Sequence, residues 1–164
     1  MGDYATKPVD LSNDESATMI DMLDAQPAPK LSDTDKLLMH ALTHFLVAIT
    51  VLAAWAAADS WYLLTELALA NFLSIATAAV AGVVISTLIH EWFHYAGAKF
   101  SGSSYRIPAK RGLFVYDFDF KKSSEAQFNL MSYAGQLGSI ASVILLFTLV
   151  PTDNSGRAML IAGA

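Results

Sequence analysis

Three long stretches almost free of charge govern what this chain can fold into. Residues 37–58 include no Asp, Glu, Lys or Arg, nor do residues 128–150; residues 67–98 include one, Glu91. About 20 helical residues cross the hydrocarbon core of a bilayer, and backbone polar groups there must be satisfied within the segment. The expected fold is therefore an all-α membrane protein with three transmembrane helices. The middle run exceeds a straight crossing, so it tilts or its ends leave the core. Residues 158–164 are again apolar and read as the start of a fourth span. Composition agrees: 54% of residues are hydrophobic and 15% charged, and mean hydropathy is +0.43. A soluble domain carries about a quarter charged residues.

Residues 1–36 differ in kind, with eight acidic residues and three lysines. They read as an acidic tail ahead of a transmembrane domain at 37–164. Ser12 and Glu15 have capping-box spacing, and Met19, Ile20 and Leu23 suit one short amphipathic helix ended by Pro27 and Pro29. By composition the tail is expected to be disordered. No cleavable signal peptide is expected, because this start is polar and acidic; the first apolar run would act as an uncleaved anchor.

Orientation follows from the basic residues. The connection 59–66 has neither Lys nor Arg, and Trp61 and Tyr62 suit an interface. The connection 99–127 has Lys99, Arg106, Lys110, Arg111, Lys121 and Lys122. The positive-inside rule places the latter, and with it the N-terminus, in the cytoplasm, as expected of a multi-pass protein of the cell (inner) membrane. Within this basic loop, residues 114–120 alternate aromatic with smaller or acidic residues, a strand pattern. Pairing with 105–107 across 108–112 would make a small β-hairpin. Asp117 and Asp119 would share one face, and Phe114, Tyr116, Phe118 and Phe120 the other.

The middle span carries His90-Glu91-Trp92-Phe93-His94. Histidines at i and i+4 sit one turn apart on one helix face and can reach one metal ion, with a glutamate beside them to take a proton from water. Three ionisable groups in five residues are costly inside a bilayer unless they serve something. There is no cysteine, so only His, Asp, Glu or water can hold a metal. Ala78, Gly82 and Ser86 precede the histidines at a spacing of four, which marks this as the packed face. Gly135, Gly138, Ser139 and Ser142 offer a matching seam in the third span. His40 and His44 form a second i, i+4 pair. Measured from Lys36 and Lys99 they lie ~6 and ~12 Å deep, against ~7.5 and ~13.5 Å for His94 and His90. They are therefore expected to supply a further metal ligand or a supporting hydrogen bond.

A His-Glu-x-x-His sequence in a membrane helix, followed by a basic, partly extended loop and a small-residue helix, resembles the site-2 protease family of intramembrane zinc metalloproteases. The similarity covers roughly residues 78–146. The resemblance implies zinc held by His90 and His94, Glu91 as catalytic base, and hydrolysis of a peptide bond in a membrane-embedded substrate. The stretch 113–120 is similar to the family's membrane-associated β-hairpin. Tyr133-Ala134-Gly135-Gln136-Leu137-Gly138-Ser139 looks like its Gly-Pro-x-x-Asn segment, with Gln136 for the proline and Ser139 for the asparagine. The family's third ligand, an Asp on a later span, has no counterpart. Asp153 falls on the outer side, one membrane thickness away. The third ligand is then expected beyond Ala164 in a longer chain, or from His40, His44, Asp117 or Asp119. The alternative expectation is a non-catalytic accessory subunit of a larger respiratory or photosynthetic membrane complex. A di-iron oxidase with two histidine pairs is a third reading, but membrane members of that class use many more than four histidines. Membrane lipid is an expected partner, and nucleic acid is not.

Overall fold

The computed structural model describes residues 31–164. The acidic tail and its Ser12–Glu15 cap lie outside the described residues. Helix α1 spans Asp33–Thr65, α2 Ala68–Phe100, α3 Glu125–Leu149 and α4 Ser155–Ala162; strands β1, Tyr105–Arg106, and β2, Asp117–Phe118, lie between α2 and α3. The first three helices are long and apolar enough to cross a membrane.

Several helix boundaries have a local cause. Ser32 accepts a hydrogen bond from the Asp35 amide, and the Asp35 carboxylate accepts from the Ser32 amide, so α1 begins a turn before its apolar run. The same reciprocal cap joins Ser124 and Gln127 at the start of α3. The Gln127 side-chain amide also donates to the carbonyls of Ser101 and Gly102, tying the start of α3 to the end of α2. The expected connection at 59–66 is mostly helix instead. Nothing between Asp59 and Thr65 breaks a helix, and the chain turns only at Glu66, in the left-handed conformation (φ 53°).

At about 1.5 Å per residue α1 and α2 are each ~50 Å long, well beyond a ~30 Å hydrocarbon core. α2 is the central helix, touching α1, α3 and α4. It buries twelve residues, among them Ala70, Ala78, Ala81, Gly82 and Ser86. In contrast, the only residues buried on α1 are polar: His40, His44 and Asp59. Its large apolar side chains, such as Leu42, Phe45, Leu46 and Ile49, face outward.

The small-residue seam forms, but it serves two neighbours. Ser86 and Ser142 hydroxyls meet at 2.9 Å between α2 and α3. Gly82 faces α4, where the Leu160 carbonyl comes so close that a Cβ would collide with it. α4 lies along α2, with Gly163 near the Ala79 carbonyl and the Ser86 hydroxyl donating to the Ala164 carbonyl. Ala78, Ala81, Leu146 and Leu160 form the apolar core there.

The small hairpin also forms, antiparallel with Tyr105 opposite Phe118 and Arg106 opposite Asp117. It is shorter than the alternation suggests, because Val115 leaves the strand pattern to pack with Tyr95 and Ile107 against Trp92, Tyr105 and Tyr116. The aromatic face divides accordingly. Tyr116 stacks with Tyr95 and Tyr105, while Phe118 and Phe120 cluster with Phe128 of α3.

Candidate metal centre

The helical spacing of His90 and His94 sets their rings 4.3 Å apart, centre to centre, nearly perpendicular at 88°. One ligand atom from each of His90, Glu91 and His94 lies within 4.8 Å of the others. Among the described residues this is the one group of three His, Asp or Glu side chains so arranged. Glu91 is buried, and both histidines are half-buried.

α3 fixes both rings. His94 Nδ1 lies 2.9 Å from the Met131 carbonyl. A carbonyl only accepts, so Nδ1 carries the proton and Nε2 holds a free lone pair, the form in which imidazole binds a metal. His90 Nδ1 lies 2.9 Å from the Ser139 hydroxyl, which gives His90 the same tautomer when the hydroxyl accepts. Gly135 makes this approach possible: a Cβ there would collide with the His94 ring. Gly138 likewise admits Phe93, with a Cβ only 3.2 Å from the His90 Cα.

A cleft of about 520 Å³ opens on this group; Glu91, His94, Tyr116, Asp117, Phe118 and Ser132 are among its lining residues. Tyr116 is pushed up to about 12, first by burial and then by the nearby Glu91 charge. It therefore remains a neutral hydroxyl at physiological pH.

The other candidate ligands are engaged elsewhere. His44 Nδ1 accepts from the Trp92 indole N–H at 3.1 Å, so its Nε2 carries the proton and donates to the Gly112 carbonyl at 2.9 Å. His40 Nε2 donates to the Pro108 carbonyl at 3.2 Å. The two histidines of α1 thus hold the loop that roofs the bundle, and His44 reaches the metal-type group only through Trp92. Asp117 lines the cleft but pairs with Arg106 at 2.8 Å. Asp119 caps a turn, accepting from the amides of Lys121 and Lys122. Asp153 lies at the other end of the bundle, paired with Arg157, which also binds the buried Asp59.

Sequence reasoning missed three participants. The Met131 carbonyl is a backbone group, which no residue type announces. Tyr116 reads only as one of the aromatic residues on a hairpin face, and Trp92 only as a filler position of the five-residue motif, although its place there is a usable signal. Comparison of the chain with family models, with curated proteins and with solved structures gives no match.

Proposed function

We propose that the chain is a multi-pass membrane protein, its N-terminus cytoplasmic, and that His90, His94 and Glu91 form the metal centre of a zinc metalloendopeptidase acting on a membrane-embedded segment. The observation that carries this reading is the orientation of His94. Its Nδ1–H is spent on Met131, so Nε2 keeps a lone pair, on a ring grouped with the second imidazole and a buried carboxylate. Neutral imidazole nitrogens with a carboxylate nearby suit zinc.

Zinc held there would supply a Lewis acid that polarises a carbonyl and makes water a nucleophile near neutral pH. The rest falls to this chain. Glu91 takes the proton of the attacking water and returns it to the leaving amine, a role that its low exposure favours by keeping bulk water away. The neutral Tyr116 hydroxyl offers a hydrogen bond at the same cleft. Asp117 is the acid that shares the cleft with Glu91 and His94; Asp119, His40 and His44 are committed elsewhere.

The full chain purified under mild conditions should hold about one zinc. Glu91→Gln should keep it while lowering cleavage of a membrane-embedded substrate by about 10²–10⁴-fold, the usual contribution of general acid–base catalysis. Purified protein free of zinc would remove this reading. One observation favours a second: among the described residues the metal-type group stops at two histidines and Glu91, with no further acid in it. A non-catalytic accessory subunit of a larger membrane complex fits that. It would co-purify with its partners and tolerate Glu91→Gln.

A further inference from the structure

A second cavity lies between α1 and α2. It measures about 430 Å³, and its walls are Thr43, His44 and Val47 from α1 and Val83, Val84, Thr87 and Leu88 from α2. Arg111, Gly112 and Leu113 of the loop close one end. Val47 and Val83 are well exposed, so the groove opens sideways, to the lipid side of the two helices. From Leu88 to Val83 it follows α2 for ~7.5 Å.

The charge at its mouth is unbalanced. Arg106 pairs with Asp117, and Lys122 with Asp119. Lys110 and Arg111 are adjacent and exposed, and they have no ion-pair partner among the described residues. A near-wholly apolar slot that ends at Arg111, with Lys110 next to it in the chain, complements one class of molecule: an acyl chain with an anionic head.

We propose that this groove is a binding site for one anionic phospholipid of the surrounding bilayer, with part of an acyl chain lying between α1 and α2 and its phosphate on Arg111 and Lys110. Phosphate suits the guanidinium, which can donate two parallel hydrogen bonds to it. The groove shares its roof with the cleft of the metal-type group, since the loop 111–116 lines both. His44 is the pin between them: it lines the groove, bonds the Gly112 carbonyl and accepts from Trp92. A seated lipid would therefore brace the loop that carries Phe114 and Tyr116 into the cleft. The site itself stands whether or not the metal centre is catalytic.

Native mass spectrometry of the full chain in detergent tests this, with phosphatidylglycerol and phosphatidylcholine of identical acyl chains as probes. One phosphatidylglycerol should be retained in preference to phosphatidylcholine. The exposed double variant Lys110→Gln/Arg111→Gln should lower that preference by fivefold or more, on the order of what each basic residue contributes near an anionic surface. Lys121→Gln should leave it unchanged. Val83→Phe, which fills the groove from an exposed position, should reduce retention of both lipids. Equal retention of the two lipids by the unaltered chain would overturn the proposal. So would a preference that survives loss of both cations, or full competition by glycerol phosphate, which has the head group without the chain.

Discussion

Position 135 has room for a hydrogen atom and nothing larger, because the His94 ring occupies the space where a Cβ would go. This contact is what lets the ring reach the Met131 carbonyl and so fixes its tautomer. Gly135→Ala should therefore push His94 away from α3. Overpacking of this kind costs about 1–3 kcal/mol. Gly112 makes the useful comparison, since a Cβ there meets nothing within 4 Å. Gly112→Ala should stay within about 0.5 kcal/mol of the parent. Thermal unfolding in detergent and zinc content would read both variants. Equal losses for the two would contradict the assigned role of Gly135. At this scale the sequence was informative about which residues matter and silent about their partners. The i, i+4 spacing points to His90, Glu91 and His94, whose ligand atoms lie within 4.8 Å of one another. The same spacing in His40 and His44 suggests a metal ligand or a supporting hydrogen bond, and their rings reach backbone carbonyls of a loop 68 residues away in sequence. Depth along a helix can be computed from spacing, but direction around the helix and the approach of a distant carbonyl cannot.

Elements meet at two polar junctions, one at each end of the bundle. At the loop end, α1 is joined to the roof by its histidines. At the other end, the buried carboxylate of Asp59 accepts from Ser74 of α2, from Asn154 and from Arg157 of α4. Removing one partner of a buried ion pair is severe, because the other charge remains without compensation. Arg157→Met should thus cost about 3 kcal/mol and loosen α4 from α1 and α2. Asp153→Asn, at an exposed partner of the same arginine, should cost under about 1 kcal/mol. Unfolding curves of the two variants would separate them; similar losses would mean that Asp59 is not the anchor. The long helices were readable because uncharged runs of this length admit little else. The turn between α1 and α2 was not. Trp61, Tyr62 and the absence of basic residues looked like a surface connection, but they sit on a helix that continues past Asp59 and reverses within two residues. The hairpin was placed correctly and drawn too long, since a strand pattern does not reveal that Val115 is needed in an aromatic core.

For the whole molecule, the proposed orientation rests on the asymmetry of charge. Lys110 and Arg111 are exposed on the roof, so trypsin should cut there in inverted membrane vesicles and leave the bond intact in whole cells. The opposite pattern would reverse the proposed topology. The polarity of what α1 buries has a further consequence, for which substitutions the chain can accept. Lipid is as apolar as leucine, so apolar side chains give a helix little reason to prefer protein over bilayer. The fully buried residues of α1 are His40, His44 and Asp59, with His44 and Asp59 ~22 Å apart along the axis, and half-buried Leu37, Val51 and Trp55 pack beside them against the two apolar clusters. In the proposed bilayer setting, rotating α1 about its axis would take all three polar residues from their protein hydrogen-bond partners. Its outward residues, Leu42, Phe45, Leu46 and Ile49 among them, are then interchangeable with other apolar types, while the three polar positions are not. In this helix the usual rule for soluble proteins is reversed: the positions most fully enclosed are its few hydrophilic residues, and most of its greasy surface points outward.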